Sequence, residues 1–110
     1  MISKDLLDYL GAELNVGVYM EAPPQLTNYV LLDQTGTSRT NHINTTTVAV
    51  QSYAPSLYEA MQLNETVKAA MEGFAELANV TRVELTTDYN FTNTATKQSR
   101  WQAVFSITNY

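Results

Sequence analysis

The alternation of apolar and polar residues predicts two helices and five strands in the order α-β-β-β-α-β-β. Apolar residues recur every three or four positions in two segments, near residues 3–11 and 57–77, as on one face of an amphipathic helix. Alternation or short apolar runs mark strands near residues 16–21, 29–33, 43–53, 80–87 and 101–108. The pattern predicts an α+β fold, in which an antiparallel or mixed sheet packs against a short N-terminal helix and a long second helix.

A capping sequence follows the third predicted strand. Pro55 disfavours helical geometry in the residue before it. Ser56 and Glu59 have the spacing at which each side chain satisfies a backbone N–H at the start of a helix. We therefore expect a tight junction between strand and helix. Asn64 interrupts the apolar stripe of this helix, and we expect it at the edge of the stripe, because a buried amide needs hydrogen-bond partners. Ser3 is expected to cap the first helix.

Two polar segments between strands are expected to form long loops. Residues 34–42 are rich in residues that favour turns and exceed the length of a tight hairpin turn. Residues 88–100 place Tyr89 and Phe91 in an otherwise polar stretch. Aromatic residues are frequent at protein–protein contacts. We therefore expect the second loop to pack on another surface, with completion of the core as the open alternative.

Composition narrows the class of protein. A chain of 110 residues is long enough for a single domain, residues 1–110, with its own core. Only 15% of the residues are charged, so Thr, Asn, Gln and Ser supply most of the polarity, as is common where subunits pack together. The N-terminal segment carries charges among its apolar residues, so we expect neither a signal peptide nor a membrane span, but a soluble protein made in a cytosol.

The charges and the reactive residues argue against several functions. A net charge of −5, with six dispersed basic residues, argues against binding nucleic acid through a basic face. The absence of cysteine excludes disulfides and thiolate metal sites. His42 is the sole histidine, and no sequence motif of a nucleophile, a phosphate loop or a metalloprotease is present. We therefore predict no enzymatic activity, no metal and no cofactor.

Four segments, taken in order, resemble the tail terminator and tail-completion proteins of long-tailed phages. They are YVLLDQTGTSR at residues 29–39, TTTVAVQSYAPSLYEA at 45–60, NVTRVEL at 79–85 and DYNFTNTATKQSRWQAVFSIT at 88–108. The resemblance implies a fold similar to that of the tail terminator of phage lambda. It also implies a ring, expected to be a hexamer, which is assembled in the host cytoplasm and resides in the neck of the virion. Such a ring caps the tail tube, ends tail polymerisation and joins the tail to the head connector or stopper protein.

The resemblance also implies which contacts to look for. The partners would be further copies of the chain, the major tail tube protein and the head connector, while DNA passes through the lumen without specific binding. The candidate contact residues are Thr37, Ser38, Arg39, Asn41, Tyr89, Phe91, Arg100 and Trp101. The candidate lumen-facing acids are Asp33, Glu84 and Asp88.

Two other functions stay open at the level of sequence. One is a different neck or head protein, such as a head-closure protein, a stopper or a minor capsid protein. The other is a small-molecule-binding α+β domain whose sheet and long helix enclose an apolar pocket. An enzyme that uses scattered carboxylates is disfavoured, because the usual catalytic constellations are missing.

Overall fold

A computed structural model describes residues 2–21, 28–40, 42–76, 80–92 and 99–109. These residues form an α+β structure with two helices and a mixed sheet of five strands. In order, the elements are α1 (Ile2–Glu13), β1 (Gly17–Tyr19), β2 (Tyr29–Thr40), β3 (Ile43–Ala54), α2 (Leu57–Phe74), β4 (Val80–Asn90) and β5 (Ser99–Asn109). The strands lie side by side in the order β1-β2-β3-β5-β4. Only the short β1 runs parallel to its neighbour, and the other pairs are antiparallel.

Both helices contribute to one core on the same face of the sheet, which we call the helix-covered face. Alternate residues of the central strands point into this core, as the period of two in a strand requires. The core residues from the strands are Val30, Leu32, Val48, Val50, Ala103, Phe105 and Ile107, and those from the helices include Leu6, Leu10, Val67, Met71 and Phe74. Each of the larger side chains contributes about 1.5–3 kcal/mol on burial, so this face supplies most of the stability.

The start of α2 confirms the predicted junction. Ser56 has extended backbone geometry, with φ −132° and ψ 158°, and its Oγ accepts a hydrogen bond of 3.2 Å from the backbone N–H of Glu59. The reciprocal half of the predicted cap is not formed, because the Glu59 carboxylate accepts from Ser56 Oγ at 3.3 Å rather than from a backbone N–H. The helix therefore begins directly after β3, and its orientation on the sheet is tied to that strand.

The end of α2 is shaped by a close contact with α1. The hydroxyl of Tyr9 donates a hydrogen bond of 2.7 Å to the backbone oxygen of Ala70. A Cβ at Gly73 would collide with that hydroxyl, so glycine lets the two helices approach. Burial, with the nearby Glu13 and Glu76, raises the pKa of Tyr9, so the phenol remains a donor.

The loop predicted at residues 34–42 is wrong, since β2 continues to Thr40 and β3 begins at Ile43. Opposite Thr47 and Val48, β2 has one extra residue, Thr35, between Gln34 and Gly36, and the pairing then continues to the turn. Threonines fill both strands here. Their β-branched side chains favour extended backbone and cross-strand pairing, which outweighs the turn propensity of the same sequence.

Two further local predictions are corrected. Ser3 does not cap α1, because it lies inside the first turn and its Oγ donates to Gln34 Oε1. The second predicted loop is shorter than expected, since β4 extends to Asn90 and β5 begins at Ser99. Within the described ranges, no helix is both long and apolar enough to cross a membrane.

Candidate functional site

An outer segment of β2 forms an unpaired edge of the sheet. The register of β1 reaches only Tyr29 to Leu31, so residues 33–40, which we call the β2 edge segment, have no strand from the described part of the chain on their outer side. All eight residues are exposed. The segment contains three predicted contact residues, Thr37, Ser38 and Arg39. Asn41, the contact residue predicted next to this segment, lies outside the described residues.

The opposite edge strand, β4, is protected in a way that the β2 edge segment is not. The pairing of β4 with β5 shifts twice, between Val80 and Arg82 and between Leu85 and Thr87. Near its start, β4 carries an ion pair of 3.0 Å between Arg82 and Glu84. Bulges and charges discourage another strand from adding to an edge. The β2 edge segment instead has an uncharged run from position 34 to 38 and one bulge.

The face of the sheet opposite the helices carries a hydrogen-bonded row of polar side chains, the tyrosine–glutamine cluster. The hydroxyl of Tyr53 donates to Gln51 Oε1 at 2.8 Å, and Gln51 Nε2 donates to Gln102 Oε1 at 2.8 Å. Gln102 Nε2 in turn donates to the hydroxyl of Tyr89. Gln51 and Gln102 are only 8% and 7% exposed, although no described helix covers them. The cluster is therefore buried largely by its own members and their neighbours.

Three of the predicted contact residues meet at one end of this cluster. Arg100 donates from Nη1 to the hydroxyl of Tyr53 at 2.9 Å, and its guanidinium carbon lies 4.3 Å from the centre of the Phe91 ring. Tyr89 and Phe91 have ring centres 5.8 Å apart in an edge-to-face arrangement. Tyr89 and Phe91 remain exposed on their outer sides. The guanidinium of Arg100 is thus held by the chain itself, through a hydrogen bond and cation–π contact.

A second polar group, the Lys68–Asp88 corner, lies on the helix-covered face where α2 meets β4. Lys68 Nζ is 2.7 Å from Asp88 Oδ2 and 2.8 Å from Glu65 Oε1. Asn64 Nδ2 donates to the same Asp88 oxygen at 3.2 Å. The hydrogen bond from Lys68 lowers the pKa of Asp88, and the hydrogen bonds to Asp88 and Glu65 raise the pKa of Lys68. Both groups are therefore charged across the neutral range.

Asn64 is buried at this corner, which corrects its predicted position at the edge of the stripe. Its side chain is 1% exposed and occupies a core-facing position of α2, between Ala60 and Val67. Its Nδ2 has a partner in Asp88, but its Oδ1 is buried and accepts no hydrogen bond. A buried acceptor without a donor costs about 1–3 kcal/mol. This atom is therefore the least satisfied part of the corner.

Two grooves adjoin the corner. A cavity of about 270 Å³ is lined by Tyr58, Met61, Gln62, Asn64, Glu65, Lys68, Asp88 and Trp101. The predicted contact residue Trp101 therefore lies here, on the face opposite Tyr89 and Arg100. A broader groove of about 640 Å³ runs between α2 and the inner side of β4, over Val83, Leu85 and Phe105.

The three acids predicted to face a lumen are not brought together. The register assigns Asp33 and Glu84 to the face opposite the helices, near opposite edges of the sheet. Two strands separate β2 from β4, so the acids are about 14 Å apart or more, at about 4.8 Å per strand. Asp88 lies on the other face, paired with Lys68. The lumen-facing role stays a prediction.

The described residues contain no group of three or more His, Asp or Glu side chains that could hold a metal ion. His42 is exposed in the turn between β2 and β3, where its φ is 67°. A positive φ at a turn position is a backbone requirement of a tight hairpin. The geometry therefore gives His42 a place in the turn rather than in a site.

Sequence reasoning missed the central members of both polar groups. Gln51 and Gln102 each lie next to a core position in their strands, and a search for polar residues that alternate with core positions in two strands would have flagged them. Lys68 and Asn64 fall four residues apart on α2, but their common partner Asp88 is 20 or more residues away. Only the packing of α2 on the sheet shows that they meet.

No protein-family model matches this chain, and no curated protein matches it.

Proposed function

We propose that this protein is a structural subunit of the neck of a long-tailed phage, a tail terminator. In this role, copies of the chain form a ring that caps the tail tube, ends tail polymerisation and joins the tail to the head connector. The observation that supports this proposal best is the β2 edge segment, because an exposed sheet edge with an uncharged run is a template for assembly.

The two edges of the sheet differ in their protection. Isolated proteins protect their sheet edges with charges, bulges or covering elements, and β4 has both charges and bulges. The β2 edge segment has one bulge, at Thr35, and an uncharged run of Gln, Thr, Gly, Thr and Ser at positions 34–38. An edge of this kind, exposed along its whole length, fits a surface that another chain covers in the assembled state.

A ring needs two different surfaces on each subunit, since neighbours in a ring contact each other head to tail. The chain has an exposed edge on β2 and, elsewhere, the grooves beside α2 and the exposed aromatic side chains of Tyr89 and Phe91. These surfaces differ in shape and chemistry. The subunit therefore has the asymmetry that a ring requires.

The charge of the chain suits a conduit for DNA. The net charge is −5, and among the described basic residues Lys4, Lys68 and Arg82 are engaged with carboxylates. The phosphates of DNA would therefore meet a surface of net negative charge with few unpaired cations, so DNA would pass without being held.

The competing small-molecule function has less support. That function predicts an apolar pocket enclosed by the sheet and its helix, but between α2 and the central strands the space is filled by the side chains of the core. The two grooves beside α2 are lined partly by exposed residues such as Tyr58, Glu65 and Leu85. Such surfaces fit a side chain or a peptide segment better than a sequestered ligand.

The proposal is tested on the purified chain with tail tubes that lack their own terminator. Light scattering after size-exclusion chromatography and negative-stain images should show rings, alone or at the ends of tubes. Thr37→Lys, which places a charge on the β2 edge segment, should reduce ring formation, whereas Ala12→Lys on the exposed side of α1 should not. A chain that stays monomeric and leaves the tubes uncapped would contradict the proposal.

A further inference from the structure

We propose that the cavity at the Lys68–Asp88 corner binds an arginine side chain, and that Arg39 of a neighbouring copy supplies it. This inference rests on the proposed function, because it takes the neighbouring copy to belong to the same ring. The contact itself would join any two copies of the chain.

The cavity has the size and charge that fit one guanidinium group. At about 270 Å³ it is smaller than the usual pocket for a drug-sized ligand, which begins near 300 Å³. Its lining contains two carboxylates, Glu65 and Asp88, and one ammonium, Lys68, so its formal charge is −1. One added cation would neutralise it. Glu65 is well placed to bind that cation, since its side chain is 71% exposed.

The cavity also has the shape and hydrogen-bonding need that favour arginine over lysine. Trp101 and Tyr58 line it, and a guanidinium plane stacks on aromatic faces. Asn64, which is 1% exposed, also lines the cavity, and its buried Oδ1 accepts no hydrogen bond. Arginine brings five N–H donors. Because this oxygen is covered from solvent, the incoming donor reaches it only as neighbouring side chains move aside.

Arg39 is the described basic residue that is available for this role. Its side chain makes no hydrogen bond or ion pair with the described residues, and it lies in the exposed β2 edge segment. The other described basic residues already have partners: Lys4 with Asp8, Lys68 with Asp88, Arg82 with Glu84, and Arg100 with Tyr53 and Phe91. Lys97 lies outside the described residues.

Arg39 cannot reach the cavity of its own chain. In the sheet, Arg39 is opposite Asn44 of β3, whereas Trp101 is opposite Ser52 of the same strand. Eight residues of strand separate these levels, which corresponds to about 26 Å at about 3.3 Å per residue. The arginine must therefore come from another molecule.

This arrangement allows a head-to-tail contact. Donor and acceptor lie at opposite ends of the sheet, so two copies that exchange Arg39 reciprocally form a closed dimer, whereas a one-way contact leaves one cavity open for the next copy. A contact of this type is heterologous, and it closes into a ring when the rotation between neighbours allows it.

A charge swap on the full-length chain tests the contact. Sedimentation velocity over a range of concentrations should show that Arg39→Glu and Glu65→Arg each weaken self-association by about tenfold or more, as expected for loss of a close charge pair. The double variant should recover most of the association. The single variant Arg39→Lys should keep less than half of the wild-type association, because lysine cannot stack or bind bidentately. Arg82→Glu, which changes another exposed arginine, is the matched control and should associate like the wild type.

A crosslink gives a second readout. Because the chain has no cysteine, the variant with both Arg39→Cys and Glu65→Cys should form disulfides only between chains, visible as a ladder on a non-reducing gel. Association that is unchanged in Arg39→Glu, or a double swap that does not recover, would overturn the contact while leaving rings possible. Swap-dependent association without capped tubes would support the contact and count against the terminator function. A wild-type chain that never self-associates would overturn both.

Discussion

The two polar groups on opposite faces of the sheet differ in how completely they are satisfied. In the tyrosine–glutamine cluster, the amides of Gln51 and Gln102 bond to each other, and both ends of the row reach a tyrosine hydroxyl. At the Lys68–Asp88 corner, the ions are paired, but Asn64 keeps a buried acceptor without a donor. A complete network stabilises the fold that contains it. An incomplete one is where a partner can add a hydrogen bond.

The difference follows from the elements that build each group. The cluster is made only of strands, so the register of β3, β5 and β4 fixes which side chains meet. The corner joins a helix to an edge strand, and α2 packs more closely on the central strands than on β4. Space is therefore left beside β4, where the grooves lie.

The largest effect is expected from breaking the complete network. Gln51→Ala removes the acceptor for Tyr53 and the donor for Gln102, and leaves a small void. We expect the free energy of unfolding to fall by about 2–3 kcal/mol. Chemical denaturation measures this change. Gln62→Ala, which removes an exposed amide bonded to Tyr58 at 3.2 Å, should change stability by less than about 0.5 kcal/mol. Equal effects of the two substitutions would contradict a special role for the cluster.

A smaller effect is expected from the ion pair at the corner. Lys68→Met should lower the free energy of unfolding by about 1 kcal/mol at neutral pH, since the pair is partly exposed. Lys4→Met, which removes the more exposed pair with Asp8, should have a smaller effect.

The pH dependence of this loss follows from the two pKa shifts. The pKa of Asp88 lies below its usual 3.8, so its contribution is present above that value and is lost as the pH falls through the lowered pKa. The pKa of Lys68 lies above its usual 10.5, so its contribution is lost only as the pH rises through the raised pKa. The difference in the free energy of unfolding between wild type and Lys68→Met should thus be constant from about pH 5 to 9 and shrink in stronger acid. A difference that persists fully in strong acid would rule out the charge pair as its cause.

The smallest effect on stability is expected from the incomplete network. Asn64→Leu removes the unsatisfied oxygen together with one hydrogen bond to Asp88, and these changes offset each other. We expect the free energy of unfolding to change by less than about 1 kcal/mol. Self-association should weaken in the same variant, whereas Gln51→Ala should leave it unchanged at temperatures where both are folded. The reverse pattern would mean that the corner, and not the cluster, is the structural network.

The sequence predicted the order of the elements and the start of α2 because these depend on local signals. Ser56 bonds to Glu59, only three positions away, and strands such as β5 carry a clear alternation of buried and less buried positions. The extent of β2 was mispredicted because Thr, Gly and Ser suit turns when considered alone. Pairing with the threonines of β3 supplies hydrogen bonds and side-chain contacts that local propensity does not include.

Among the predicted contact residues, the sequence identified types but not their grouping. Tyr89, Phe91 and Arg100 meet because β4 and β5 pair in a register that brings residue 89 opposite residue 102. Trp101 neighbours Arg100 in the chain yet lies on the other face, since side chains alternate along a strand. A one-residue difference thus separates the cluster from the corner.

By itself, the sequence determined the α+β class, the capped junction into α2 and the low charge, because each follows from nearest-neighbour geometry or composition. Only the tertiary structure decided which strand edges are free, that Asn64 is buried with an unsatisfied oxygen, and that Arg39 lies about 26 Å along the sheet from the corner. These features join residues that are distant in the chain, and their energies come from packing and register rather than from local propensity.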